Sequence, residues 1–227
     1  MTGLDDAYGL VTVDDARRLY RDWASTYDSE FVDLNGYVYG RRVAEIMVEH
    51  FGNSGNSGNS GNSGGADAPV VCDVGCGTGL VGVELTSRGK WIIDGLDLST
   101  EMLDVASNKV DGNGVPIYRN LIQVDLTQGS DLAIEGYDCV VSSGLFTHGH
   151  LGPEVVPAVV DLARRGGLVV LGVNREFYAQ AGFGQMFESL SRAQRISNLA
   201  MIDIEIYTDA PDGHEGSLAS VVICNRF

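Results

Sequence analysis

Seven consecutive residues, Asp73-Val74-Gly75-Cys76-Gly77-Thr78-Gly79, combine a carboxylate with three glycines at alternate positions. Glycine lacks a Cβ, so such a loop turns sharply and lets a ligand lie against bare backbone. Two chemistries fit the spacing. Residues 77–82 read G-x-G-x-x-G, the pattern whose helix N-terminus receives a pyrophosphate, as an NAD(P)-dependent oxidoreductase requires. Residues 73–79 read as an acidic residue followed by G-x-G-x-G. A carboxylate there repels a pyrophosphate and welcomes a phosphate-free ligand bearing an ammonium group. The acidic loop favours the second chemistry. Farther along, His148 and His150 stand one residue apart in the loop at 146–152. They could act as a general base or touch a substrate, or simply cap the loop. A metal site would need a third ligand, and none is identifiable beside them, so no metal is assigned. Cys72 and Cys76 have C-x3-C spacing without a partner pair, and Cys72, Cys139 and Cys224 sit in apolar runs. Buried, reduced thiols are the reading.

The elements that must hold these residues alternate in kind. Short apolar runs at 69–74, 91–97, 120–125, 137–143 and 167–173 show no polar alternation and read as strands buried on both faces of a parallel sheet. Helices are expected between them at 80–87, from the Ser99 cap through Met102, Leu103 and Val105, and at 153–165. Residues 201–208 and 217–225 alternate instead, across the turn-rich 210–213, and predict an antiparallel hairpin at the end of the sheet. The sum is an α/β, doubly wound, mostly parallel seven-stranded sheet with a C-terminal antiparallel hairpin and helices on both faces. The glycine loop then joins a strand to a helix, where open α/β sheets bind ligands.

In this order the motifs carry a resemblance. Residues 70–79 are similar to motif I of class I S-adenosylmethionine-dependent methyltransferases, and Gly95-Leu96-Asp97-Leu98-Ser99 resembles their motif II. The resemblance implies S-adenosyl-L-methionine as cofactor, held by Asp73, Gly75, Cys76, Gly77 and Gly79. It makes Asp97 the carboxylate on both ribose hydroxyls, with Leu98 beside it. Met102 takes the place of the apolar residue on the adenine, though a plain core methionine is the other reading. Asp125-Leu126 resembles the adenine contact, Ser142-Ser143 lies where motif IV flanks the methionine portion and the acceptor, and residues 165–168 resemble the turn before the fifth strand. The segment at 19–28, Leu-Tyr-Arg-Asp-Trp-Ala-Ser-Thr-Tyr-Asp, is similar to the Y-D-x-W-A-x-x-Y-D arm of many small-molecule members, with Arg21 replacing the first Asp. There the arm covers cofactor and acceptor, so Tyr20, Trp23 and Tyr27 are candidate pocket residues or an aromatic stripe that docks the arm. The implied reaction is in-line displacement of a sulfonium methyl onto a small-molecule acceptor; a non-catalytic cofactor-binding protein of the same fold is the further alternative.

Around this centre the chain divides into an N-terminal helical arm at 1–51, an Asn-Ser-Gly repeat at 52–65 and a methyltransferase core at 66–227. The arm's helices are expected from Thr12 onward and at 39–51. The repeat has no apolar side chain to offset the entropy of ordering and reads as a flexible tether. With 227 residues the chain can bury a full core. Its net charge of −16, with lysine only at 90 and 109, repels a phosphate backbone and argues against a nucleic-acid partner. No apolar run is long enough to span a bilayer and no secretory signal is recognisable, so the expectation is a cytoplasmic monomer or homodimer without membrane contact. Residues 175–198 carry Phe177, Tyr178, Phe183, Met186 and Phe187, suited to walling a pocket or to core packing.

Overall fold

The computed structural model describes residues 18, 19, 21, 23, 24, 26–33, 36–53, 68–128, 136–208, 210 and 216–227. The helix start at Thr12, most of the repeat and the turn at 211–213 lie outside the described residues. After a short π-helix at Tyr27–Asp33 comes α1 (Tyr39–Asn53). Then follow β1 (Val70–Val74), α2 (Leu80–Arg88), β2 (Ile92–Asp97), α3 (Thr100–Ser107), β3 (Tyr118–Gln123) and β4 (Tyr137–Phe146). The remainder is α4 (Val156–Leu162), β5 (Ala163–Asn174), α5 (Arg175–Ala181), α6 (Phe183–Arg192), β6 (Ile196–Glu205) and β7 (Leu218–Arg226).

The strands form one sheet in the order β3-β2-β1-β4-β5-β7-β6. β1 pairs in parallel with β2 and β4, β2 with β3, and β4 with β5. β7 enters antiparallel between β5 and β6. Successive residues of a strand point to opposite faces, and here both faces are covered. Val71, Ile93, Val141, Val170 and Val221 meet α1, α2 and α3 through Met47, Leu85 and Leu103. Cys72, Leu96, Val140, Leu171 and Val222 meet α4 and α6 through Val159, Val160, Phe183 and Phe187. That is why these runs read as continuously apolar. All four cysteines are buried free thiols.

Four boundaries depart from the sequence reading, the first being β6, which runs Ile196–Glu205 rather than 201–208. β3 lies at Tyr118–Gln123 rather than 120–125, which leaves Val124, Asp125 and Leu126 in the loop beyond its end. β4 runs on to Phe146 with a register shift between Ser142 and Phe146, so Ser142 and Ser143 lie within the strand. The helix expected at 153–165 is shorter: a 3-10 turn at Pro153–Val155 leads into α4, and β5 already begins at Ala163. A register shift accounts for the early start, since Tyr137 faces Ala163 while Cys139 faces Leu168, and the surplus residues form a bulge.

The strand order reverses between β1 and β4, because α2 carries the chain to one side and α4 carries it to the other. A crevice opens at the carboxyl ends of strands at such a switch point. The α1 end of the chain is knitted to the far edge of the sheet: Val38 donates to the Ile206 carbonyl (2.9 Å) and Thr208 to that of Gly36 (2.9 Å), with Tyr37 bridged to Tyr207. The crevice therefore has a roof from the N-terminal segment.

Candidate active site

The cavity at the switch point has a volume of about 200 Å³. Its floor is the glycine loop, fixed from below by β2: the Gly75 and Cys76 N–H groups donate to the Leu96 carbonyl at 2.8 and 3.0 Å. Gly75 and Gly77 have φ of +69° and +53°, a region that costs any residue with a Cβ. A Cβ on Gly75 would also meet the Leu145 side chain at 2.9 Å, whereas one on Gly77 would have nothing within 4 Å and would project into open space. The loop is thus bare on the side that a ligand would approach.

Asp97 is set by that loop. Its Oδ2 accepts the Gly77 N–H at 2.8 Å and its Oδ1 the Ser99 N–H at 2.9 Å. Burial pushes its carboxyl up from the ordinary range, and the backbone N–H groups of Ser99, Gly77 and Leu98 oppose that push. Each oxygen keeps a second lone-pair direction, so the carboxylate can accept two further hydroxyl protons from the cavity. Beside it, α3 begins with a side-chain cap, the Met102 N–H donating to Ser99 Oγ at 3.2 Å. That cap brings Met102 onto the cavity wall. Val124, Asp125 and Leu126 close this end; Asp125 is held in a turn by the Thr127 N–H and hydroxyl at 3.0 and 2.6 Å.

Of the residues singled out in the sequence, Tyr27, Gly75, Cys76, Gly77, Asp97, Leu98, Met102, Asp125, Leu126, Ser143 and His150 come together on this wall. Others sit behind it. Asp73 is fully buried beneath the loop, where its Oδ2 accepts the Tyr118 hydroxyl at 2.7 Å. It is not among the residues that line the cavity, and its Oδ1 is buried with no hydrogen-bond partner among the described residues. Gly79 turns the chain into α2 against Tyr118, and Ser142 donates to the Val74 carbonyl at 2.8 Å, fully buried. Trp23 is buried edge-on to Tyr27, their centroids 5.2 Å apart. Tyr20 lies outside the described residues.

The two histidines separate. The His148 ring packs on Phe177 at 4.8 Å, its Nε2 3.4 Å from Gln180 Oε1, off the cavity wall. His150 is on the wall, with Nδ1 3.1 Å from the His148 carbonyl. A carbonyl only accepts, so Nδ1 carries the proton and Nε2 the lone pair. Burial pushes the His150 pKa down and favours this neutral form.

Sequence reasoning missed the far wall. Tyr37, Tyr39, Ile206 and Tyr207 line it, with Tyr37 5.6 Å from Tyr207 and 6.2 Å from Tyr39 between ring centroids. Their positions depend on the bridge between the start of α1 and the end of β6, which no local pattern announces. The aromatic set at 177–187 joins the core instead of the wall: Phe183 and Phe187 are fully buried beside Phe146. Among the described residues the wall carries no Arg or Lys, and no group of three or more His, Cys, Asp or Glu side chains is placed to hold a metal ion. No described helix is long and apolar enough to cross a membrane.

Asp73 makes a testable statement about stability. Burial raises its carboxyl from 3.8 to about 7, with the Tyr118 hydroxyl opposing and Asp97 adding to the rise. A raised carboxyl pKa means that the folded chain holds a proton which the unfolded chain releases. The contribution is complete below the unfolded value and is lost as pH rises through about 7. Asp73→Asn keeps an acceptor for Tyr118 and removes the titration. Calorimetric melting between pH 4 and 8 should show the wild type losing up to about 1.4 kcal/mol per pH unit relative to the variant. Parallel melting curves would refute the assignment.

The chain is similar to known proteins. Residues 71–167 match the family model described as "Methyltransferase domain". A magnesium-protoporphyrin O-methyltransferase of Rhodobacter capsulatus is 28% identical over 95 residues, which are 42% of this chain and only 40% of that protein's length. Among solved structures, magnesium protoporphyrin IX methyltransferase from Synechocystis PCC 6803 with bound SAM aligns over 100% of both chains at 19% identity, TM-score 0.62. An S-adenosylmethionine-dependent methyltransferase from Clostridium acetobutylicum aligns over 92% of this chain and 99% of its own, at 14% identity and TM-score 0.60. At these identities the structural matches speak for the fold, whereas the family match falls on the segment that carries the glycine loop and Asp97. Residues 71–167 are thus similar to a methyltransferase domain, and the sheet that carries them has the fold of the solved S-adenosylmethionine-dependent methyltransferases.

Proposed function

We propose that the chain transfers the methyl group of S-adenosylmethionine to a small-molecule acceptor. The observation that carries this reading is the Asp97 carboxylate, fixed between the Gly77 and Ser99 N–H groups and open to the cavity over a glycine that would tolerate no side chain if a ligand lay there. The cavity suits that cofactor. Asp97 offers acceptors for ribose hydroxyls, Met102 and Leu126 an apolar bed for a flat base, and the bare loop backbone a cradle for the remainder. The absence of basic side chains among the described wall residues favours it over a pyrophosphate-bearing cofactor.

When bound, the cofactor supplies a methyl group already activated by its sulfonium. The chain's part is to align, exclude water and manage a proton. Tyr27, Tyr37 and Tyr207 wall the acceptor side, and His150 Nε2 is the group able to take a proton from a hydroxyl or ammonium acceptor. With no cationic group on the described wall, an uncharged acceptor fits better than a carboxylate or phosphate. We place the protein in the cytoplasm as a monomer or homodimer; its net charge of −16 supports the absence of a nucleic-acid partner. The test is a screen of metabolite acceptors with isotopically labelled cofactor, read by mass spectrometry. Label should reach a small molecule. No labelled product, together with no heat of binding for S-adenosylmethionine or S-adenosylhomocysteine, would sink the proposal.

A further inference from the structure

Two parts of the chain far apart in sequence meet at Asp28. Its Oδ1 accepts the Thr78 hydroxyl at 2.6 Å, and its Oδ2 takes the Lys109 ammonium. Thr78 belongs to the glycine loop and is buried, at 2% exposure. Lys109 follows α3, the helix that presents Met102, and is one of only two lysines in the chain. Asp28 lies in the π-helical turn directly after Tyr27, which lines the cavity and packs edge-on against buried Trp23. The Asp28 carboxylate is therefore the point at which the arm is bonded both to the loop and to the end of α3. Adjacent residues of a helix diverge in direction, so holding Asp28 down on the core also fixes how Tyr27 faces the cavity.

We propose that Asp28 is a positioning residue: by bridging Thr78 and Lys109 it ties the arm to the glycine loop and sets Tyr27 on the cavity wall. The anchoring stands on the contacts alone; its consequence for cofactor affinity rests on the function proposed above. Asp28 need touch no ligand. It acts through Tyr27 on one side and through the loop on the other. The ion pair is partly exposed, with side chains 22% and 34% accessible, so its strength depends on salt.

The experiment separates the two arms of the bridge in the full chain. Asp28→Asn retains an acceptor for Thr78 and removes the attraction to Lys109; Lys109→Met removes the same attraction from the other side. In a Trp91→Phe background Trp23 is the sole tryptophan, and acrylamide quenching reports whether the arm is seated. Each variant should raise the quenching constant about twofold or more. Each should also weaken S-adenosylhomocysteine binding about fivefold, the size of a partly buried pair. The double variant should be no worse than either single change, since both delete one interaction. Raising the salt to 0.5 M NaCl, a concentration of about three times physiological ionic strength, should weaken wild-type binding toward the variants and leave theirs nearly flat. In turnover the effect should fall on KM for the cofactor more than on kcat, and Asp28→Glu should restore part of it.

Unchanged Trp23 quenching in both single variants would overturn the anchoring. Additive losses in the double variant would show that the two residues act separately, and would overturn the bridge. If the wild type binds neither form of the cofactor, the functional reading fails, while the quenching data still decide whether Asp28 holds the arm.

Discussion

Asp97→Asn is expected to lower the affinity for S-adenosylmethionine and S-adenosylhomocysteine by about 100-fold or more. The carboxylate has acceptors on all sides, and the structure uses both oxygens, one for Gly77 N–H at 2.8 Å and one for Ser99 N–H at 2.9 Å. An amide has one acceptor and one donor. Whichever way it turns, an NH2 group faces a backbone N–H, and one of the two loop contacts is lost. The hydroxyl acceptors on the cavity side are halved as well, and each charge-assisted hydrogen bond removed is worth about 1.5–3 kcal/mol. Two such losses give the stated factor. Isothermal calorimetry on the pure variant measures it, with melting temperature as the control for folding. An affinity within about threefold of wild type would mean that the ligand does not use this carboxylate.

The second large effect is expected at His150. Its Nδ1 is committed to the His148 carbonyl, which leaves the acceptor lone pair on Nε2, and the residue lines the cavity. If Nε2 accepts the acceptor's proton, His150→Gln should lower kcat by about 10²-fold or more, with cofactor affinity little changed. The pH profile supplies a sharper check. Burial lowers the His150 pKa, so the neutral, competent form persists below the ordinary histidine range, and kcat should fall only on the acid side of it. In the variant that acidic limb should disappear. His148→Ala serves as the contrast: its ring packs on Phe177 outside the wall, and a change of no more than about threefold is expected. Equal losses at both positions would indicate a disrupted loop instead of a lost base.

How much of this was readable beforehand follows from the range of each signal. The glycine loop and Asp97 depend on residues adjacent in sequence, and the loop turned where its glycines permitted. Ser99 was legible as a cap for the same reason. The parallel strands were legible from apolar runs without alternation, and their ends were not, because β3 and β5 are set by register against β2 and β4. Asp73 illustrates a different limit. Its charge suggests a ligand contact, whereas its burial and its bond to Tyr118, 45 residues away, depend on the fold: that hydroxyl donates to Oδ2 and leaves Oδ1 without a partner among the described residues. Only the pairing of β2 with β3 brings that hydroxyl near. Tyr37 and Tyr207 were invisible for the same reason, since their meeting requires the whole sheet to form first. His148 and His150 look equivalent in sequence; an offset of two residues sends His150 to the wall and His148 to α5.

The placement of β7 has a consequence for biosynthesis. β6 is translated before β7, yet among the described residues β7 is the one strand beside it in the sheet. Until residues 218–226 leave the ribosome, β6 lacks this partner, and its exposed Leu199, Met201 and Ile202 remain on an unattached segment. Tyr207, two residues beyond β6, waits as well, and with it the far wall of the cavity. Long-range pairings of this kind are late and slow. A nascent chain stalled before β7 would thus hold a finished glycine loop beneath an unfinished chamber. Competence to retain a ligand then follows the insertion of β7, and the vulnerable interval for aggregation or proteolysis lies between the emergence of β6 and the insertion of the strand that seats it.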